Sequence, residues 1–126
     1  MKMTGFLLMT MIVVLTACSS GQGGSAVAQI PALNSPYDMS NKEALAKNDE
    51  GVDHLFQGHY DVASKHFNDA ITAKGDFAEA HFNLGLAYDG MGKHPEATGE
   101  FKKAKQYGGT NPKIAENEIL KKHLGS

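Results

Sequence analysis

Cysteine occurs once in the 126 residues, as Cys18, and tryptophan not at all. A lone cysteine cannot close a disulfide within the chain, so stability has to come from packing. An excess of one charge is also missing: 12 lysines and arginines stand against 14 aspartates and glutamates, a formal net charge of −2. Nucleic-acid binding depends on a concentrated basic face, and that balance argues against one. Lys102, Lys103 and Lys105, like Lys121 and Lys122, are interleaved with acids and read as solvated helix faces. No nucleophile elbow, P-loop, dinucleotide fingerprint or HExxH pair is present, and the acids are scattered. The chain therefore reads as a non-enzyme without a cofactor.

Long apolar runs are absent too. The longest, Phe6 to Leu15, would span only ~15 Å as a helix, half of a bilayer core. Preceded by Lys2, it reads as the apolar stretch of a secretory signal rather than a membrane span. Leu15-Thr16-Ala17-Cys18 follows it and resembles the bacterial lipobox, which lipoprotein signal peptidase reads. The resemblance implies a signal peptide over residues 1–17, a diacylglyceryl thioether on the Cys18 sulfur, and cleavage before Cys18. Two or three acyl chains hold firmly, at about 0.8 kcal/mol per buried CH₂. Ser19 is not the Asp that retains lipoproteins at the inner membrane in enterobacteria-like systems. The expected location is thus the cell envelope, on the periplasmic face of the outer membrane. Residues 18–39, rich in Ser, Gly, Ala and Pro, read as the lipidated cysteine and a flexible tether.

From Ala44 the chain overlays itself at an offset of 34 residues. Ala44 meets Ala78, Ala46 meets Ala80, Gly51 meets Gly85 and Gly58 meets Gly92. Ala63 meets Ala97, Phe67 meets Phe101, Ala70 meets Ala104 and Gly75 meets Gly109. The identities fall on small residues and one aromatic, where helix packing is most demanding. Each unit reads as two helices. A Ser40–Glu43 capping box predicts a helix over about 41–56, and Gly58 breaks it. A second helix follows over about 59–74, and a third over about 77–90. His94-Pro95 opens a fourth that Gly108-Gly109 closes. Asn111 caps a fifth, from Pro112 to about Leu124, whose half-polar pattern suits an end helix.

The stretch AEAHFNLGLAYDGMGKHPEATGEFKKAKQY resembles the tetratricopeptide repeat (TPR), a 34-residue pair of antiparallel helices. Leu84, Gly85, Tyr88, Gly92, Ala97, Phe101 and Ala104 carry the signature in order, and Gly51, Gly58, Tyr60, Ala63, Phe67 and Ala70 keep part of it in unit one. Lys47 and His81 stand where the family has Trp, and Glu50 and His54 replace its Leu and Tyr in unit one. The family's closing Pro is Gly75 and Gly109. The implied fold is all-α: two repeats over 40–111 (44–77 and 78–111) and a capping helix over 112–126. Two repeats are few for a solenoid, which favours self-association or support from a partner.

The resemblance further implies a concave groove, lined by the first helix of each unit, that holds peptides. Its expected lining is Asn48, Val52, Leu55 and Phe56 from unit one, Phe82, Asn83 and Leu86 from unit two, and Asn117 from the end helix. Asn83 stands where the family often places an Asn that bonds a bound backbone, a task that suits a group both donating and accepting. Against this stands a simpler reading, in which the aromatics pack between helices or bury under residues 30–33 (IPAL). The six histidines, His54, His59, His66, His81, His94 and His123, form no i,i+4 pair on one helix, so no metal site is expected. The resulting expectation is a lipid-anchored adaptor that binds envelope proteins through its groove and does not bind nucleic acid. A self-associating structural lipoprotein without a specific client is the alternative, and metal binding through the histidines is a third reading, ranked behind both.

Overall fold

The computed structural model describes residues 30–36 and 39–125; Cys18, the lipobox and the signal segment lie outside them. Among the described residues there are six helices and no strand: α1 (Lys42–Phe56), α2 (Tyr60–Ala73), α3 (Ala78–Gly90), α4 (His94–Gly108), α5 (Pro112–Ala115) and α6 (Glu118–Leu124). Helices α1 and α2 pack as one antiparallel pair and α3 and α4 as the next. Helix α2 lies against α3, and α4 carries α5 and α6. This is the short TPR-like solenoid that the repeat implies. No helix among the described residues is long and apolar enough to cross a membrane.

Local chemistry sets the helix ends, with two departures from expectation. The cap of α1 is Asn41 rather than Ser40: its side-chain oxygen accepts from the Ala44 N–H at 3.0 Å, and its amide donates to the Ala73 carbonyl at 2.8 Å. One residue thereby caps α1 and ties it to the end of α2. The expected single end helix is two, because the Asn117 side chain accepts from the amides of Ile119 and Leu120 and starts α6 afresh. A short polar side chain that captures backbone N–H groups competes with helix continuation. Gly58 (φ 76°) and Gly92 (φ 73°) make the left-handed turns inside the two units, where a side chain would be strained.

The core repeats with the sequence. Phe67 lies over Gly51, and Phe101 over Gly85, so closely that a Cβ on either glycine would fall 2.5 or 2.6 Å from the ring. Ala63, Ala70, Ala97 and Ala104 are fully buried and admit the same close crossing. Phe67, Phe77, Phe82 and Phe101 are buried to within 1% of completely, each contributing about 1.5–3 kcal/mol. Helix α1 is amphipathic, burying Ala44, Asn48, Gly51, Val52 and Leu55, whereas α3 buries every residue from Ala80 to Ala87. An all-round apolar helix belongs in the middle of a stack. His81, at the position of the missing Trp, fills its place differently: Nδ1 lies 2.6 Å from Glu100 and Nε2 3.0 Å from the Gly75 carbonyl.

Candidate functional site

Helices α1 and α3 lie side by side and present Asn48 and Asn83 to a shared groove. That groove holds residues of the chain itself. The Leu33 N–H donates to Asn83 Oδ1 at 2.8 Å, and Asn83 Nδ2 donates back to the Leu33 carbonyl at 2.7 Å. One side chain thus reads both polar atoms of a single residue's backbone. The second proton of the Asn83 amide goes to Asn48 Oδ1 at 2.9 Å. Asn48 Nδ2 donates to the same Leu33 carbonyl and to Ser35 Oγ, both at 3.1 Å. Asp49 completes the frame, accepting from the Ser35 amide at 3.0 Å and from its hydroxyl at 2.9 Å.

Apolar contacts support these bonds. Ile30, Ala32 and Leu33 pack on the main core, which includes Val52, Leu55 and Leu86. A small hollow lined by Ile30, Pro31, Tyr60, Leu86, Asp89, Gly90 and Ile119 lies beside the start of the segment. Asn48 and Asn83 are completely buried, with each of their amide donors and acceptors paired. Burying an amide without partners costs about 1–3 kcal/mol, so this burial depends on the segment being in place.

Residues 30–35, expected within the tether, lie along the groove, where Ile30 to Leu33 are half-buried and Asn34 is exposed. The expected lining residues separate into groups. Asn48 and Asn83 form the polar floor, and Val52, Leu55 and Leu86 lie in the adjoining core. Phe82 does not line the groove; it packs on Phe101, ring centroids 5.6 Å apart, in the interior. Phe56 is 56% exposed at the end of α1. Asn117 is engaged as the cap of α6. Cover by residues 30–33 was the simpler reading; the backbone bonds of Leu33 and the part played by Ser35 were not foreseen. The signal for them was the apolar IPAL stretch, followed by Asn34 and Ser35 just ahead of the first repeat.

Charge near the site is local and paired. Burial works against the charge on Glu100, yet hydrogen bonds from His81 and Lys103 outweigh it and hold the carboxyl below its usual range. On α1, the hydrogen bond from Lys47 lowers the Glu50 carboxyl in the same sense.

Paired antiparallel helices at a 34-residue interval, with asparagines of their first helices facing an extended segment, define a TPR-like interaction fold. No protein-family model matches the chain. Tetratricopeptide repeat protein 6 of Homo sapiens is 31% identical over 99 residues, covering 79% of this chain and 19% of that protein. The chain therefore spans less than a fifth of the length of the curated relative it matches.

Proposed function

We propose that this chain is a protein-interaction module of the bacterial envelope, lipidated on Cys18 and binding partners by their backbone through the α1–α3 groove. The observation that carries the reading is the two-point bond of Asn83 to Leu33. Backbone reading of this kind accepts any extended segment, and the neighbouring apolar wall selects among side chains. In its own segment the wall takes Ile30, Ala32 and Leu33. A partner then carries an extended stretch of alternating small and aliphatic residues and enters by displacing residues 30–35. The groove's polar groups, Asn48, Asn83 and Asp49, are arranged to hold backbone and hydroxyl groups, which supports a role in binding. The lipobox supports anchoring on the periplasmic face of the outer membrane, where confinement raises the effective concentration of partners.

The test is a labelled peptide, QIPALNSP, offered in trans to three forms of the full chain. The Ile30→Ser, Leu33→Ser form weakens the internal segment and leaves the floor intact, so it binds the peptide best. The wild type binds more weakly, and adding Asn83→Ala to the double variant abolishes binding. Equal binding with and without Asn83→Ala would sink the proposal. A wild type that associates with itself, through segments exchanged between copies, would favour the structural alternative.

A further inference from the structure

A second constellation lies away from the amide floor. Asp89 is near the end of α3, His94 opens α4, and His123 stands in the last turn of α6. One donor atom from each lies within 4.8 Å of the other two, the only such trio of His, Cys, Asp or Glu among the described residues. Asp89 Oδ1 is 2.7 Å from His94 Nδ1 and 3.1 Å from His123 Nε2. Three separate helices supply the three groups, which is why spacing along one helix gave no sign of them.

The surroundings of His123 orient it. Its side chain is 11% exposed, and its ring packs on Phe101 at a centroid distance of 4.9 Å. Its Nδ1 lies 3.0 Å from Thr98 Oγ, and the Thr98 hydroxyl donates to the His94 carbonyl at 2.9 Å. With that proton given to the His94 carbonyl, the Thr98 oxygen can accept from His123 Nδ1–H. In that tautomer the lone pair of Nε2 faces the Asp89 carboxylate, and a metal ion seated between them satisfies both. A metal-bound imidazole ordinarily donates its other N–H to a fixed oxygen, as His123 does here.

We propose that Asp89 Oδ1, His94 Nδ1 and His123 Nε2 form a zinc site, with Thr98 as the positioning residue. Ligand atoms at about 2.0–2.2 Å from a tetrahedral zinc sit roughly 3.3 Å apart, a spacing the trio reaches with small side-chain movements. His94, 68% exposed, has the freedom to make them. Two imidazoles and one carboxylate suit zinc, whereas magnesium and calcium favour all-oxygen sets. The fourth position stays open to water or to a partner's side chain. Bound there, the ion links α3, α4 and α6 and fastens the short end helix to a solenoid of only two full repeats. The other histidine group offers a poorer site: His54 and His66 stack at 5.2 Å with planes 8° apart.

The test is titration of the full chain with zinc chloride, followed by calorimetry and thermal unfolding. One equivalent binds and raises the melting temperature, and magnesium does neither. His94→Gln, at an exposed position where folding is not at stake, weakens zinc at least about tenfold, as does Asp89→Asn. Thr98→Val weakens it about tenfold while leaving the three ligands in place. His54→Gln changes nothing. The proposal is overturned by the absence of saturable binding up to about 100 µM zinc. Binding that survives His94→Gln and Asp89→Asn, or that disappears with His54→Gln, overturns it equally.

Discussion

Asn83 holds Leu33 by both ends of its backbone, accepting from the N–H at 2.8 Å and donating to the carbonyl at 2.7 Å. The two residues are 50 positions apart, and the bond pair closes the N-terminal segment over the groove. Because Asn48 donates to the same carbonyl, the floor and the segment form one connected network. Such networks are stable when complete and costly when one member is lost.

Asn83→Ala therefore lowers stability by about 1–3 kcal/mol, since it leaves the Leu33 N–H without its acceptor and Asn48 Oδ1 without its donor, while Asn48 keeps the Leu33 carbonyl paired. Urea unfolding measures this. Asn83→Asp keeps an acceptor for the Leu33 N–H but removes both amide donors and sets a buried carboxylate against the Leu33 carbonyl and Asn48 Oδ1, so it is expected to be at least as destabilising.

Gly85→Ala places a methyl group 2.6 Å from the Phe101 ring, and Gly51→Ala does the same 2.5 Å from Phe67. Each costs about 1–3 kcal/mol by overpacking. At Gly99, where an added Cβ meets nothing within 4 Å, alanine is neutral or mildly stabilising. Thermal melts of the three variants give the order directly.

Phe82 and Phe56 were grouped by sequence as groove residues, yet they predict opposite outcomes. Phe82→Ala empties a fully buried site beside Phe101 and costs about 3–5 kcal/mol, so any lost binding accompanies lost folding. Phe56→Ser, at a 56% exposed position, changes stability by no more than about 0.5 kcal/mol.

Acid exposes the role of Glu100. Its carboxyl is held below the ordinary value of 4.5, so the unfolded chain takes up this proton first as pH falls. The contribution of Glu100 to stability is complete above about pH 4.5 and is lost as pH drops through the lower folded value. Glu100→Gln removes that pH dependence and makes the protein less stable at neutral pH, as unfolding at pH 7 and pH 3.5 would show.

On the lipobox reading, Cys18→Ser is expected to abolish lipid labelling and membrane retention while leaving the melting temperature of the repeat domain unchanged. Retention of labelled lipid by the serine variant would contradict the lipobox reading.

The paired helices were legible because they depend on residues with steric reasons to repeat: Gly51 and Gly85 under Phe67 and Phe101, Gly58 and Gly92 in the turns. The polar floor was half legible. Asn83 was singled out by its place in the repeat, whereas its partner Leu33 lay in a stretch whose composition resembled a linker. Packing of IPAL on the helices was one of two readings, and tertiary contact decides for it, with residues 30–33 half-buried. Asn117 was misplaced because an asparagine serves equally as a helix cap, and its neighbours in space decided between the two uses. His94 and His123 were noted among the six histidines, but spacing could not group them with Asp89, since three helices bring the trio together.

Amide exchange at Leu33 tests the central claim most directly. The account predicts that its N–H is protected in the full chain, well beyond a freely exposed amide, and that excess QIPALNSP peptide or Asn83→Ala removes the protection. A Leu33 amide that exchanges at the rate of an unstructured peptide in the wild type would contradict an occupied groove. Protection unchanged by Asn83→Ala would contradict Asn83 as the residue that reads the backbone.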